Sequence, residues 1–452
     1  MGNLADFKSK YKSELIVASL IMMTGIIMRV IYAVSHWRIA TGEAPNAAIH
    51  FSKTGTIGHI FEYGGDISAH LNPVSPVLAG TVYYVFGQRS MSAEWVLFVY
   101  ATLVTILSAW LYYRLARKAG LPSLAALVGL AVICVLPMNL RVETVDFRIW
   151  EGGLAVLLGA LCLTAVAKIE EDGFLTTKTA IWLSLLAAFT FFVTPPIGLA
   201  IYLSALVVMI RHVPMRKWPT LVGISIAALV MVFTPWTIRN YEAFGKFIPM
   251  RSNTGLELAL ANFPMAQGQD EGQAFLLRLK QIHPQGSVEA FDRMKAAGGE
   301  ILWAQQLGEG AKNWIRDHPD EFAKRSAWHL FSVFFAPNRQ WSIDGARNDR
   351  LYWQSIVGWS ISIFALAGAL FALARWKGLT VYFAIMTIIP ALPYAIFWPV
   401  PRYRYLIFMP SVFLAAMFVQ WSIAASIALW RRNRQIGQSL DLTPAFGDGI
   451  EN

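Results

Sequence analysis

Long apolar runs separated by short polar breaks dominate the chain. A helix crosses a bilayer with roughly 17 to 25 apolar residues, and about ten segments approach that pattern: 15–34, 92–113, 121–138, 151–168, 178–194, 197–211, 219–236, 354–374, 379–397 and 405–428. The break at Thr194-Pro195-Pro196 reads either as a tight turn between two spans or as a kink in one long helix, because proline lacks the N–H that continues the ladder. Span seven is expected to stop at Pro235-Trp236. Two polar stretches, 35–90 and 237–353, are too long to be turns. The second holds helix-like segments at 287–307 and 309–334. The latter ends on WHLFSVFFAP, whose bulky residues fall on one face, as in a helix lying on a membrane surface or packed on the spans. The run 77–86 is too short to span and is expected along the interface.

Composition agrees. Hydrophobic residues make up 56% and charged residues 15%, with a mean hydropathy of +0.47. A soluble chain of this size needs more charge to cover its surface. The expected fold class is an all-α polytopic membrane protein. Its parts are an N-terminal transmembrane module (1–236) with a first outer loop (35–90), a large outer loop (237–353) with amphipathic helices, and C-terminal spans with a short tail (354–452). The net charge of +10 is spread over alternate loops: Lys8, Lys10 and Lys12; Arg114, Arg117 and Lys118; Arg211, Arg216 and Lys217; Arg375 and Lys377; Arg431, Arg432 and Arg434. The loop 169–177 is the poor fit. This bias predicts cytoplasmic termini and a retained first span rather than a cleaved signal. It also argues against a nucleic-acid surface, which would gather the charge in one patch. No Walker loop, GxGxxG, HExxH or repeat occurs, and Cys134 and Cys162 sit inside apolar runs as small core residues.

The same topology places 35–90, 139–150, 237–353 and 398–404 outside. There Arg402 and Arg404, in WPVPRYRYLIFMPS, break the charge bias. Arg239, just past Trp236, puts a third guanidinium at the same depth. The planar fork of arginine takes two phosphate oxygens at once; contact with anionic lipid headgroups is the plainer alternative. Glu43 lies in the first outer loop, where shielding by juxtamembrane helices would raise its pKa toward that of a general base; a solvated loop acid is the competing reading. Glu151 opens span four, which suits both a helix start and an acid facing a cavity. His70 in AHLNPVSP and Asn253 in the turn-like Asn253-Thr254-Gly255 are further candidates at this level. Arg29, near the outer end of span one, reads as snorkelling to the surface.

Four stretches carry a resemblance: GEAPNAAIHFSKTGTIGHIF with AHLNPVSPVLAGTVYYVFG, then WEGGLAVLL, PWTIRNYEAFGKFIPMRSNTGLELALAN and PRYRYLIFMPSVFLAA. In this order the chain resembles the membrane-embedded GT-C glycosyltransferases, and most of all the bacterial branch labelled glycosyltransferase family 39-like. Its relatives include the protein mannosyltransferases and the lipid A aminoarabinose transferase. The resemblance implies an inverting transfer from a polyprenyl-phosphate-linked sugar donor to a lipid, glycan or protein acceptor, at the outer face of a bacterial cytoplasmic membrane. It implies Glu43 as the catalytic acid of the first outer loop, with Asp66 as its rival, and Glu151 as a second acid nearby. Arg239, Arg402 and Arg404 fall where basic residues meet the lipid phosphate. Use of a divalent cation, held by Glu43, Asp66 or Glu151, is left open. Membrane lipids are expected partners and nucleic acid is not. Two other classes share many features. A transporter or flippase of lipid-linked saccharides predicts an inverted repeat and charge near mid-membrane. A non-catalytic subunit of a polysaccharide assembly complex predicts that Glu43→Gln leaves sugar transfer unchanged.

Overall fold

A computed structural model describes residues 4–136, 140–262, 271–336 and 349–440. Parts of the expected loops, 137–139, 263–270 and 337–348, lie outside the described residues. The described chain is helical throughout, with two isolated β-bridges, Gly58 with Ile67 and Phe61 with Gly64. In order the helices are α1 (Leu4–Ser35), α2 (Glu43–Thr54), α3 (Val74–Phe86), α4 (Met91–Lys118), α5 (Ser123–Val135), α6 (Leu140–Thr144), α7 (Gly152–Asp172), α8 (Thr177–Val193), α9 (Pro195–His212), α10 (Trp218–Phe244), α11 (Thr254–Asn262), α12 (Glu271–Ile282), α13 (Val288–Ala296), α14 (Glu300–Asp317), α15 (Pro319–Phe334), α16 (Asp349–Arg375), α17 (Thr380–Ile388) and α18 (Tyr405–Leu440).

All ten expected apolar runs contain helix, but among the described residues only seven helices are long and apolar enough to cross a membrane: Lys12–Ser35, Met91–Lys118, Gly152–Asp172, Pro195–His212, Met215–Phe244, Gln354–Arg375 and Pro401–Arg434. The remaining three runs form shorter helices. Ser123–Val135 reaches spanning length only if joined to Leu140–Arg148, Thr177–Val193 falls just short, and α17 passes into a 3-10 stretch at Ile389–Ala395. Pro390 and Pro393 explain that last change, since each removes a donor from the ladder.

Proline also decides three other boundaries. At Thr194 the backbone is extended (φ −151°, ψ 103°), so α8 and α9 are separate helices, with Pro195 and Pro196 in the first turn of α9. Pro235 does not end α10. The helix runs on to Phe244 and stops at Gly245, whose positive φ of 64° suits glycine. Trp236 Nε1 donates to Met250 O (2.6 Å) and Asn240 Nδ2 to Ile248 O (2.8 Å), so the extra turns are held by the segment that follows them. The helix expected over 309–334 breaks at His318, and Pro319 begins a new one.

Neighbouring helices approach closely where a small residue faces a large one. A Cβ on Gly129 of α5 would come within 2.9 Å of the Phe413 ring of α18. At one end of the bundle, Glu170 accepts from Arg211 (2.9 Å) and Tyr382, and Lys118 donates to Glu171 (2.8 Å). The acids of the anomalous loop 169–177 thus neutralise basic residues of neighbouring loops. Arg29 does not snorkel. It is fully buried, donates to Gly25 O (2.8 Å) and Cys134 O (2.9 Å), and pairs with Glu143, which makes the interior a better place for it than the bilayer edge.

Candidate active site

At the opposite end of the bundle, segments far apart in sequence enclose a cavity of about 680 Å3. The N-terminus of α2 contributes Glu43, and the loop before α7 contributes Asp146, Trp150 and Glu151. From the other side come Arg251, Asn253 and Glu257, then His283 after α12, and finally Tyr394, Arg402 and Tyr403. Pro195, Pro196, Leu199, Phe397 and Leu406 make part of the wall apolar.

Glu43 is the first residue of α2. Gly42 before it has φ 108°, a conformation open to glycine, which turns the chain so that the carboxylate enters the cavity. Burial pushes the Glu43 carboxyl up to about 7; Arg402 and Arg251 pull it down and Glu300 pushes it further up. Its Oε1 lies 3.4 Å from His283 Nε2 and 3.5 Å from His70 Nε2. Oε1 and His70 Nε2 are buried without a hydrogen-bond partner. Burial, reinforced for His70 by the neighbouring His283, lowers the proton affinity of both rings, so both are neutral near pH 7.

One carboxylate and two neutral imidazoles form a known zinc donor set, and bonds of about 2.0–2.1 Å set donors about 3.4 Å apart on a tetrahedron's edge. Two of the three donor separations, 3.4 and 3.5 Å from Glu43 Oε1, match that spacing, and all three donor atoms lie within 4.8 Å of one another. The N–H of Gln285 donates to His283 Nδ1 (3.1 Å), which leaves that ring's proton on Nε2; binding an ion there requires this hydrogen bond to yield.

Arg402 rests on the faces of Trp150 (5.3 Å) and Tyr403 (5.8 Å), with no ion pair among the described residues. Tyr403 also bonds it, and the negative charges of Asp146 and Glu151 act on it from nearby. Arg251 differs, since it is paired with Glu151. Glu151 stands at the N-terminus of α7, as its position at the start of span four suggests, but its carboxylate makes no capping bond there. Asn253 is buried, and its Nδ2 donates to Glu257 Oε1 (3.2 Å). It sits in a turn, as expected, but Thr254 and Gly255 already open α11. Burial and the nearby Glu43 raise the Glu257 carboxyl, and His283 opposes them.

Of the residues singled out in the sequence, Glu43, Glu151, Asn253 and Arg402 line the cavity, and His70 touches Glu43. Asp66, Arg239 and Arg404 do not line it. Asp66 is exposed in the loop beyond α2, where its carbonyl accepts from His59 N (3.0 Å). Arg239 donates to Ser68 O and Ile57 O (both 2.8 Å) and stacks on Trp236 (4.6 Å). Arg404 is buried against Gly358 O and Ser362 Oγ. Both arginines satisfy carbonyls and hydroxyls of the protein itself. Arg251, Glu257, His283 and Tyr403 were not anticipated. Arg251 and Glu257 fall inside PWTIRNYEAFGKFIPMRSNTGLELALAN, the most specific of the four stretches, whereas nothing around His283 marks it.

The structure is similar to the archaeal oligosaccharyltransferase AglB from Archaeoglobus fulgidus, solved with an inhibitory peptide and a dolichol-phosphate. The TM-score is 0.50 and the identity 14%, covering 98% of this chain and 53% of that one. The Archaeoglobus fulgidus oligosaccharyltransferase in complex with Zn and sulfate aligns with a TM-score of 0.50 and 13% identity, over 94% of this chain and 51% of that one. Its apo form gives 0.50 and 14%, over 94% and 52%. The chain spans about half the length of these structures. No family model matches the sequence, and no curated protein matches it. At such identity the likeness is one of fold alone.

Proposed function

We propose that the chain is an integral-membrane, inverting glycosyltransferase. It moves a sugar from a polyprenyl-phosphate donor to a hydroxyl on a lipid, glycan or protein acceptor at the outer face of the cytoplasmic membrane. One observation carries this reading: Glu43 and Arg402, from opposite ends of the sequence, line a single cavity with a partly apolar wall. The dolichol-phosphate solved with the archaeal oligosaccharyltransferase is a lipid phosphate of the class that suits Arg402.

In this reading the prenyl chain lies along Pro195, Leu199 and Leu406, and Arg402 holds the phosphate. The acceptor oxygen attacks the anomeric carbon from the face opposite the phosphate. The new C–O bond forms as the bond to phosphate oxygen breaks, and Glu43 takes the hydroxyl proton. Polyprenyl phosphate leaves as an anion stabilised by Arg402, so the leaving group needs no acid. Trp150 and Tyr403 fix the guanidinium plane. A divalent ion held by Glu43, His70 and His283 would supply Lewis-acid polarisation of a bound oxygen.

The test is transfer by the purified chain in liposomes, using radiolabelled polyprenyl-phosphate sugars and a panel of lipid, saccharide and peptide acceptors. Turnover is expected for the wild type and a loss of roughly 10²–10⁴-fold for Glu43→Gln. Full turnover by Glu43→Gln would overturn the assignment of the base.

A further inference from the structure

We propose that Glu300, at the start of α14, is a positioning residue that clamps the segment carrying His70 to the segment carrying Arg251. Its carboxylate accepts three hydrogen bonds. Oε2 takes one from Ser68 Oγ (2.6 Å), and Oε1 takes one from Ala69 N–H (2.7 Å) and one from Ser252 Oγ (3.1 Å). The two segments are also joined directly, Ser252 N–H donating to Ala69 O (2.9 Å). His70 N–H donates to Ser68 Oγ (3.1 Å), so the grip reaches the imidazole's own backbone. Arg239 holds the same turn from the other side through Ser68 O (2.8 Å).

A carboxylate suits this place for two reasons. It has the lone pairs to serve three donors at once, and it sits at a helix N-terminus, where the dipole favours negative charge. The bonded residues are the immediate neighbours of His70, which faces Glu43, and of Arg251, which holds Glu151. The position of α14 in the large outer loop is therefore transmitted to both sides of the cavity through one side chain. Glu300 itself does not line the cavity; beyond the effect of its charge on Glu43, it acts through these neighbours.

The kinetic arm of the test rests on the glycosyl-transfer reading; the structural arm does not. Hydrogen–deuterium exchange would be followed on the full chain and on Glu300→Ala, Glu300→Gln and Ser252→Ala. Glu300→Ala is expected to speed exchange by about tenfold in 66–72 and 249–256 together, leaving 97–116 unchanged. Glu300→Gln is expected to restore protection, because an amide can accept from Ala69 N–H while donating to Ser68 Oγ. Should Glu300→Ala not fold, Ser252→Ala is expected to loosen 249–256 alone. In the transfer assay Glu300→Ala should lower kcat by roughly 10- to 100-fold, with donor KM little changed and recovery in Glu300→Gln. Faster exchange throughout the spans, or in neither segment, overturns the clasp, as does unchanged kcat with both segments loosened. A wild type that transfers no sugar, with the expected exchange pattern, counts against the glycosyl-transfer reading and in favour of the clasp.

Discussion

Glu43 Oε1 lies 3.4 Å from Nε2 of His283, a contact that joins the start of α2 to the segment after α12. His70 approaches the same oxygen at 3.5 Å, yet that oxygen accepts no hydrogen bond. An acid held this way, in a cavity shared with Arg402, has two uses: as a proton acceptor or as a ligand. The following expectations separate them.

The pH dependence of transfer reports on Glu43 as a base. Its carboxyl is lifted to about 7, chiefly by burial, and a base works in the ionised form. In chelator-treated protein kcat/KM should rise about tenfold per pH unit below 7 and level off above it. Stability runs the other way. A carboxyl raised on folding stabilises the folded state in full below the ordinary value of 4.5, and this contribution is lost as pH rises through about 7. A pH–rate profile flat between 5 and 8 would remove Glu43 from the role of base.

Metal binding tests the second use. Equilibrium dialysis with zinc is expected to find one site per chain, weakened by roughly 10- to 100-fold or more in His70→Ala and in Glu43→Gln. His283 is the informative case, because Gln285 N–H occupies its Nδ1. If zinc binds the wild type but His283→Ala binds it equally well, the third donor is not this ring.

The two arginines of PRYR should separate cleanly. Arg402 has no ion pair among the described residues and lines the cavity, so Arg402→Ala is expected to lower kcat/KM by roughly 10²–10³-fold without loss of stability. Arg402→Lys keeps the charge but loses the fork, and should recover only part of the rate. Arg404 is spent on Gly358 O and Ser362 Oγ, so Arg404→Ala should lower the thermal midpoint while the folded fraction keeps its kinetic constants. Equal kinetic effects from the two alanine variants would contradict this division.

How far the sequence could be read follows from these cases. Helices were legible because run length and composition carry them, and all ten apolar runs contain helix. Whether each run spans was less legible, since Pro390 and Pro393 cut one helix short while Pro235 leaves another intact. Glu151 and Arg402 could be picked out because a charge at the end of a span is conspicuous, and Glu43 and Asn253 because their loops were expected close to the membrane edge. Arg239 and Arg404 were equally conspicuous but serve the irregular backbone at 57–68 and the carbonyl of Gly358, and depth along a span says nothing about such partners. His283 could not be found at all, because its place beside Glu43 depends on how α12 and α13 pack, not on any local spacing.

The Arg29–Glu143 pair offers a test of the bundle itself. The two side chains are 1% and 3% exposed, and Tyr405 also bonds Glu143, linking the pair to the segment that carries Arg402. Removing one charge strands the other where water cannot reach it. Arg29→Ala is therefore expected to cost roughly 3–5 kcal/mol, whereas Arg29→Leu combined with Glu143→Leu should cost less than either single change. Thermal unfolding in detergent, run as a double-mutant cycle, measures the coupling. A single variant as stable as the wild type would mean that the pair is hydrated, and that the Tyr405 contact alone holds the loop before α7 against α18. In that event Tyr405→Phe, and not Arg29→Ala, should disturb the approach of Arg402 to the cavity.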